Sequence, residues 1–123
     1  MSSLSSRVHT YARPETRESM ISFYTDVLGC EALASGDVKD PSVSIVAFRF
    51  SNGSSLSVEF TSDALDEAQA RRGAWVEVRC DNASDVQRRI IDAGLPTIRY
   101  AVNDHFYFQA PGGQVMRIVG ESS

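Results

Sequence analysis

The stretch ETRESMISFYTDVLG, residues 15–29, decides the fold. Met20, Ile21, Phe23, Tyr24, Val27 and Leu28 recur within it at helical spacing and make one apolar stripe. Pro14 stands just ahead, where a missing N–H is tolerated. The spacing predicts a helix over Glu15–Val27, stopped by Gly29 where a left-handed cap is wanted. Residues 82–94, NASDVQRRIIDAG, answer it in the second half. Asn82 is placed to cap a helix through about Ala93, with Asp85 at its third position. Val86, Ile90 and Ile91 supply its stripe, Gly94 ends it, and Pro96 prevents continuation.

Alternating runs flank both helices in the same order. Val8–Ala12 precedes the first, and Glu31–Ser35, Val43–Phe50 and Ser55–Thr61 follow, the last two joined by an Asn52–Gly53 turn. Ala74–Cys80 precedes the second, and Thr97–Ala101, His105–Ala110 and Gln114–Val119 follow, with a Pro111–Gly112–Gly113 turn. The chain therefore reads β-α-β-β-β twice, an internal repeat of supersecondary units. The fold class is α+β, with two paired βαβββ modules forming a curved mixed sheet and helices on its outer face. The expected single domain spans residues 1–123, with module one at about 7–61, a linker at 62–72 holding a short helix, and module two at about 73–120.

Composition narrows the function. With 12 Lys and Arg against 16 Asp and Glu, the net charge is −4, and no basic stripe suggests nucleic acid. No apolar run approaches the roughly 20 residues that span a bilayer, and Met1–Ser6 lacks the blocks of a signal peptide. The two cysteines, Cys30 and Cys80, have no metal-type spacing and read as reduced, mostly buried thiols. The expectation is a soluble cytoplasmic protein with no nucleic-acid or membrane partner.

Alternation sorts the strand residues onto two faces. Val8, Thr10, Ala12, Leu56, Val58, Phe60, Val76, Val78, Cys80, Phe106, Phe108, Met116 and Ile118 share the face that packs on the helices. His9, Tyr11, Arg13, Ser57, Glu59, Trp75, Glu77, Arg79, His105, Tyr107, Gln109, Val115 and Arg117 share the other. A face holding a Trp, two Tyr and two His among charges suits a concave site for a small organic molecule. A polar face turned to water, with aromatics packing across strands, is the plainer alternative. No phosphate loop, metalloprotease helix or nucleophile elbow occurs.

The run from His9 through Phe23–Tyr24–Thr25–Asp26–Val27–Leu28–Gly29 carries a family resemblance. So do the Ser57–Val58–Glu59–Phe60 strand and Phe106–Tyr107–Phe108–Gln109–Ala110–Pro111–Gly112–Gly113. On these the chain resembles the vicinal oxygen chelate superfamily of glyoxalases, bleomycin- and fosfomycin-resistance proteins and extradiol dioxygenases. The resemblance covers nearly the whole chain. It implies four metal-ligand positions, filled here by His9, Glu59, Trp75 and Arg117. Only His9 and Glu59 are ligand types.

Three readings follow. The first is non-covalent binding of a small molecule in a cup without its metal-ligand set, lined by Tyr11, Trp75, Glu77, His105, Tyr107 and Arg117. The second is a metal-free lyase or isomerase, with Arg117 stabilising an anion and His9 or Glu59 as base. The third is a metal-dependent glyoxalase- or dioxygenase-like enzyme that keeps a divalent metal through His9, Glu59, water and, after rearrangement, His105. The first ranks highest, and with it no cofactor is expected. Arg117 is expected to pair with Glu59 and neutralise it. Family members often form dimers, sometimes exchanging units between chains, so the resemblance also implies a homodimer.

Overall fold

Each half of the chain builds its own four-stranded mixed sheet. The computed structural model describes residues 1–120, so residues 121–123 of the expected domain lie outside the described residues. The chain divides into two compact units, Met1–Ala64 and a second from Leu65 onward. In the first, β1 (Arg7–Ala12) leads through a 3-10 turn (Pro14–Thr16) into α1 (Arg17–Ser22) and a π turn (Phe23–Val27). Strands β2 (Glu31–Leu33), β3 (Ile45–Arg49) and β4 (Ser55–Phe60) follow. The second unit opens with α2 (Glu67–Ala70), then β5 (Trp75–Cys80), α3 (Ala83–Asp92), β6 (Thr97–Ile98), β7 (Phe106–Gln109) and β8 (Val115–Gly120).

The two sheets have the same topology, β1-β4-β3-β2 and β5-β8-β7-β6. In each, the first strand lies parallel to the last, and the other pairs are antiparallel. A parallel pair needs a long connection rather than a hairpin, and the helix with the two intervening strands supplies it. The protein is thus α+β, built of two βαβββ-like units.

The helix expected over Glu15–Val27 is one helical path with three pitches. Pro14 starts it as a 3-10 turn, and its last turn is π. The Thr25 hydroxyl donates to the Ile21 carbonyl at 2.7 Å, competing there with main-chain N–H groups. Leu28 N–H instead reaches back five residues to Phe23 O at 3.2 Å. The wider turn accompanies burial of two successive aromatics, Phe23 and Tyr24. Tyr24 stacks on Phe48 with ring centroids 4.4 Å apart.

Other expectations shift at their edges. Asn82 precedes α3 but makes no side-chain cap. In contrast, Asp66 caps α2 through a reciprocal box with Gln69. Strand β6 is two residues long rather than five. Beyond it, Asn103 Oδ1 accepts the His105 N–H at 3.0 Å, and this local turn keeps His105 out of β7.

Leu56, Val58, Phe60, Val78, Phe108, Met116 and Ile118 are buried as alternation predicts. Val8, on the end strand β1, is exposed, whereas Val115, Tyr107 and Gln109 are buried although alternation put them on the open face. Gln109 has a local cause: its amide donates to Glu67 O at the start of α2 and to Gly113 O at 3.0 Å. Arg71 Nε–H donates to its carbonyl oxygen at 3.2 Å. The short helix within the linker therefore covers that end of β7.

Candidate functional site

The second unit gathers three of the expected site residues around the guanidinium of a fourth, Arg117. Parallel register sets Glu77 of β5 beside Arg117 of β8, and antiparallel register sets Tyr107 of β7 on its other side. Arg117 Nε–H donates to Glu77 Oε1 at 3.0 Å, and Nη2–H donates to the same oxygen. Nη1–H donates to the Tyr107 hydroxyl at 3.2 Å. The guanidinium carbon lies 4.7 Å from the Trp75 ring centroid and 5.9 Å from that of Tyr107. The hydrogen bonds it donates to Glu77, then to Tyr107, raise the Arg117 pKa above its already high value, so the group is a permanent cation.

Aromatic rings surround this cation. Trp75 stands edge-on to Tyr107 at 5.5 Å and stays 42 % exposed. Tyr100 stands edge-on to Tyr107 at 4.6 Å, and Asn103 Nδ2–H donates to the Tyr107 hydroxyl at 3.4 Å. Tyr107 is only 2 % exposed; it is a buttress whose hydroxyl holds Arg117, not an open wall. Arg79 reaches the second oxygen of Glu77 at 3.6 Å. The carboxylate on Arg117 is thus Glu77, not the expected Glu59. Parallel strand register brings Glu77 alongside, a spacing that no turn in the sequence announces.

The first unit carries a different chemistry at the matching place. His9 lies beside Ser57 and Tyr11 beside Glu59 across the β1–β4 pair. His9 Nδ1 and Ser57 Oγ are 2.6 Å apart, and the His9 and Tyr11 rings meet edge-on at 5.0 Å. Tyr11 is exposed and Glu59 half-buried. His105 is exposed in its turn and joins neither group. Ser57, Arg79, Tyr100 and Asn103 were not singled out from sequence. Alternation placed Ser57 and Arg79 on the right face, but Tyr100 and Asn103 lie outside regular strands and gave no signal.

The four positions implied by the family resemblance occupy corresponding diagonals. Glu59 lies one side-chain step along the parallel pair from His9, and Arg117 lies the same step from Trp75. The first diagonal carries metal-ligand residue types and the second does not. Imidazole and carboxylate offer lone pairs, whereas indole N–H and guanidinium only donate. Among the described residues, no group of three or more His, Cys, Asp and Glu side chains could hold a metal ion.

Solved structures share this architecture. A possible glyoxalase from Bacillus cereus matches with a TM-score of 0.69 at 11% identity, over 96% of this chain and 99% of that one. A genomically encoded fosfomycin resistance protein from Listeria monocytogenes, in a mutant complexed with Mn(II) and a dihydroxypropylphosphonic acid, matches with a TM-score of 0.68 at 19% identity, over 96% and 92%. An integron cassette protein from the mobile metagenome of Vibrio cholerae matches with a TM-score of 0.61 at 18% identity, over 98% of both chains. No protein-family model and no curated relative matches the sequence. The fold is that of the glyoxalase and fosfomycin-resistance proteins, which belong to the vicinal oxygen chelate superfamily. At these identities the likeness is one of fold.

Proposed function

We propose that this protein binds a small organic molecule without forming a covalent bond, as drug-sequestering resistance proteins do. One observation carries the reading: Arg117, at a position where the family resemblance implies a metal ligand, is held by Glu77 and Tyr107 beneath a partly exposed Trp75. The site offers a charged anchor and an aromatic surface in place of a metal. The protein acts in the cytoplasm as a homodimer, with no cofactor.

Two experiments test this. A fragment set containing anionic, neutral and cationic aromatics is screened by ligand-observed NMR. At least one fragment is expected to bind saturably and to lose about tenfold in affinity in Trp75→Ala, by the lost stacking surface. Silence across the set, or binding indifferent to Trp75, would sink the proposal. Elemental analysis after incubation with nickel, zinc, manganese or ferrous iron is expected to find no stoichiometric metal; a near-stoichiometric content would revive the metal-dependent reading.

A second reading, a metal-free lyase or isomerase, is favoured by His9. The contact of Nδ1 with Ser57 Oγ orients the ring. In the tautomer with the proton on Nδ1, Nε2 is left as the proton acceptor. Turnover of a bound ligand that His9→Gln abolishes, with ligand affinity retained, would establish it over simple binding.

A further inference from the structure

The binding reading leaves the ligand's chemistry open, and the unused donors of Arg117 narrow it. A guanidinium has five N–H donors in one plane. Three are engaged: Nε–H and one Nη2–H on Glu77, and one Nη1–H on Tyr107. One N–H on each Nη atom has no partner among the described residues. These two coplanar donors match the two oxygens of a planar carboxylate better than a single acceptor.

Charge points the same way. Arg117 and Arg79 both approach Glu77, so this face carries two cations against one carboxylate, an excess of +1 in a chain of net charge −4. A cationic ligand would meet a surplus of its own sign, whereas an anion would complete the set. The Arg117 side chain is only 22% exposed and held from two sides, so little freedom remains to be lost when a ligand docks. Beside it, the open part of Trp75 offers a flat surface for a ring.

Resting on the binding role proposed above, we infer that this site takes an aromatic carboxylate, its two oxygens on the free Nη1–H and Nη2–H of Arg117 and its ring against Trp75. Glu77 competes for the guanidinium while holding it in place. Replacing Glu77 by Gln should therefore strengthen anion binding, an effect that mere loss of structure would not give.

The test titrates the full chain with benzoate, benzamide and benzamidinium. Trp75 is the only tryptophan, so its fluorescence reports on this site alone, and calorimetry gives the affinities. Benzoate is expected to bind saturably, at least tenfold more tightly than the other two. Arg117→Lys, which keeps the charge and loses the planar fork, should weaken benzoate at least tenfold while its melting temperature shows the fold intact. Glu77→Gln should tighten it severalfold. Equal binding of benzamide or benzamidinium, an indifferent Arg117→Lys, or weaker benzoate binding in Glu77→Gln would each overturn the inference. If benzoate fails while another fragment binds in a Trp75-dependent way, only the carboxylate assignment falls. If the wider fragment set is silent as well, the binding role falls with it.

Discussion

Replacing Tyr24 with Phe removes one oxygen from the interior of the first unit and leaves the stack on Phe48 in place. That oxygen is fully buried and has no hydrogen-bond partner among the described residues. A buried polar group left unsatisfied costs about 1–3 kcal/mol, so the Phe variant should be more stable by about that amount. Near the melting point, unfolding entropy is about 2.1 cal/mol/K per residue, or roughly 0.26 kcal/mol/K for 123 residues. The expected rise in Tm is therefore about 4–12 °C. Titration adds a second signature. Burial, and to a lesser degree Cys30, push the Tyr24 pKa above its usual value. Below about pH 10 the phenol is neutral in both folded and unfolded chains. Above that, the unfolded chain ionises first, and stability falls by about 1.4 kcal/mol per pH unit until the raised folded pKa is reached. Tyr24→Phe lacks this loss, so the gap between variant and parent should widen from pH 10 to pH 11. Urea unfolding at pH 7, 10 and 11 measures it. A less stable Phe variant with an unchanged gap would show that the hydroxyl is satisfied in the native state and refute the reasoning.

Arg17 is 8% exposed, and its two Nη groups donate to the Val43 and Val38 carbonyls, each at 2.6 Å. Arg17→Ala should cost about 2–4 kcal/mol in denaturant unfolding, through lost charge-assisted hydrogen bonds, and speed proteolytic nicking between residues 34 and 44. Gly113 has φ +112°, and a Cβ there would lie 3.0 Å from the Ala70 side chain; Gly113→Ala should lower stability by about 1–3 kcal/mol. Asp66→Ala, which deletes the α2 capping box, should cost about 1 kcal/mol, read from the urea midpoint.

Much of the fold was legible because its signals are local. Helix stripes, glycine stops and the Asn52–Gly53 and Gly112–Gly113 turns lie within a few residues of the elements they define. The π turn was not legible, since it follows from how Thr25 and two successive aromatics settle within the helix. Site residues divide along the same line. Side-chain parity placed Glu77, Tyr107 and Arg117 on one face, and the β7–β8 hairpin set Tyr107 opposite Arg117. Pairing Arg117 with Glu77 required the register of parallel strands 40 residues apart, which no connecting turn fixes. Tyr107 and Gln109 show the limit of parity: it tells which way a side chain points, not what later covers it.

The placement of two arginines around Glu77 also bears on kinetics. An anion approaching from far away meets the field of a chain with four excess negative charges, and only close to Arg79 and Arg117 does the attraction prevail. Ions at about 0.1 M shorten electrostatic reach to roughly 10 Å. They suppress the distant repulsion more than the near contact. Moderate salt should therefore hasten arrival of an anion at this face while weakening its hold only slightly, the reverse of the slowing seen when opposite charges steer encounter.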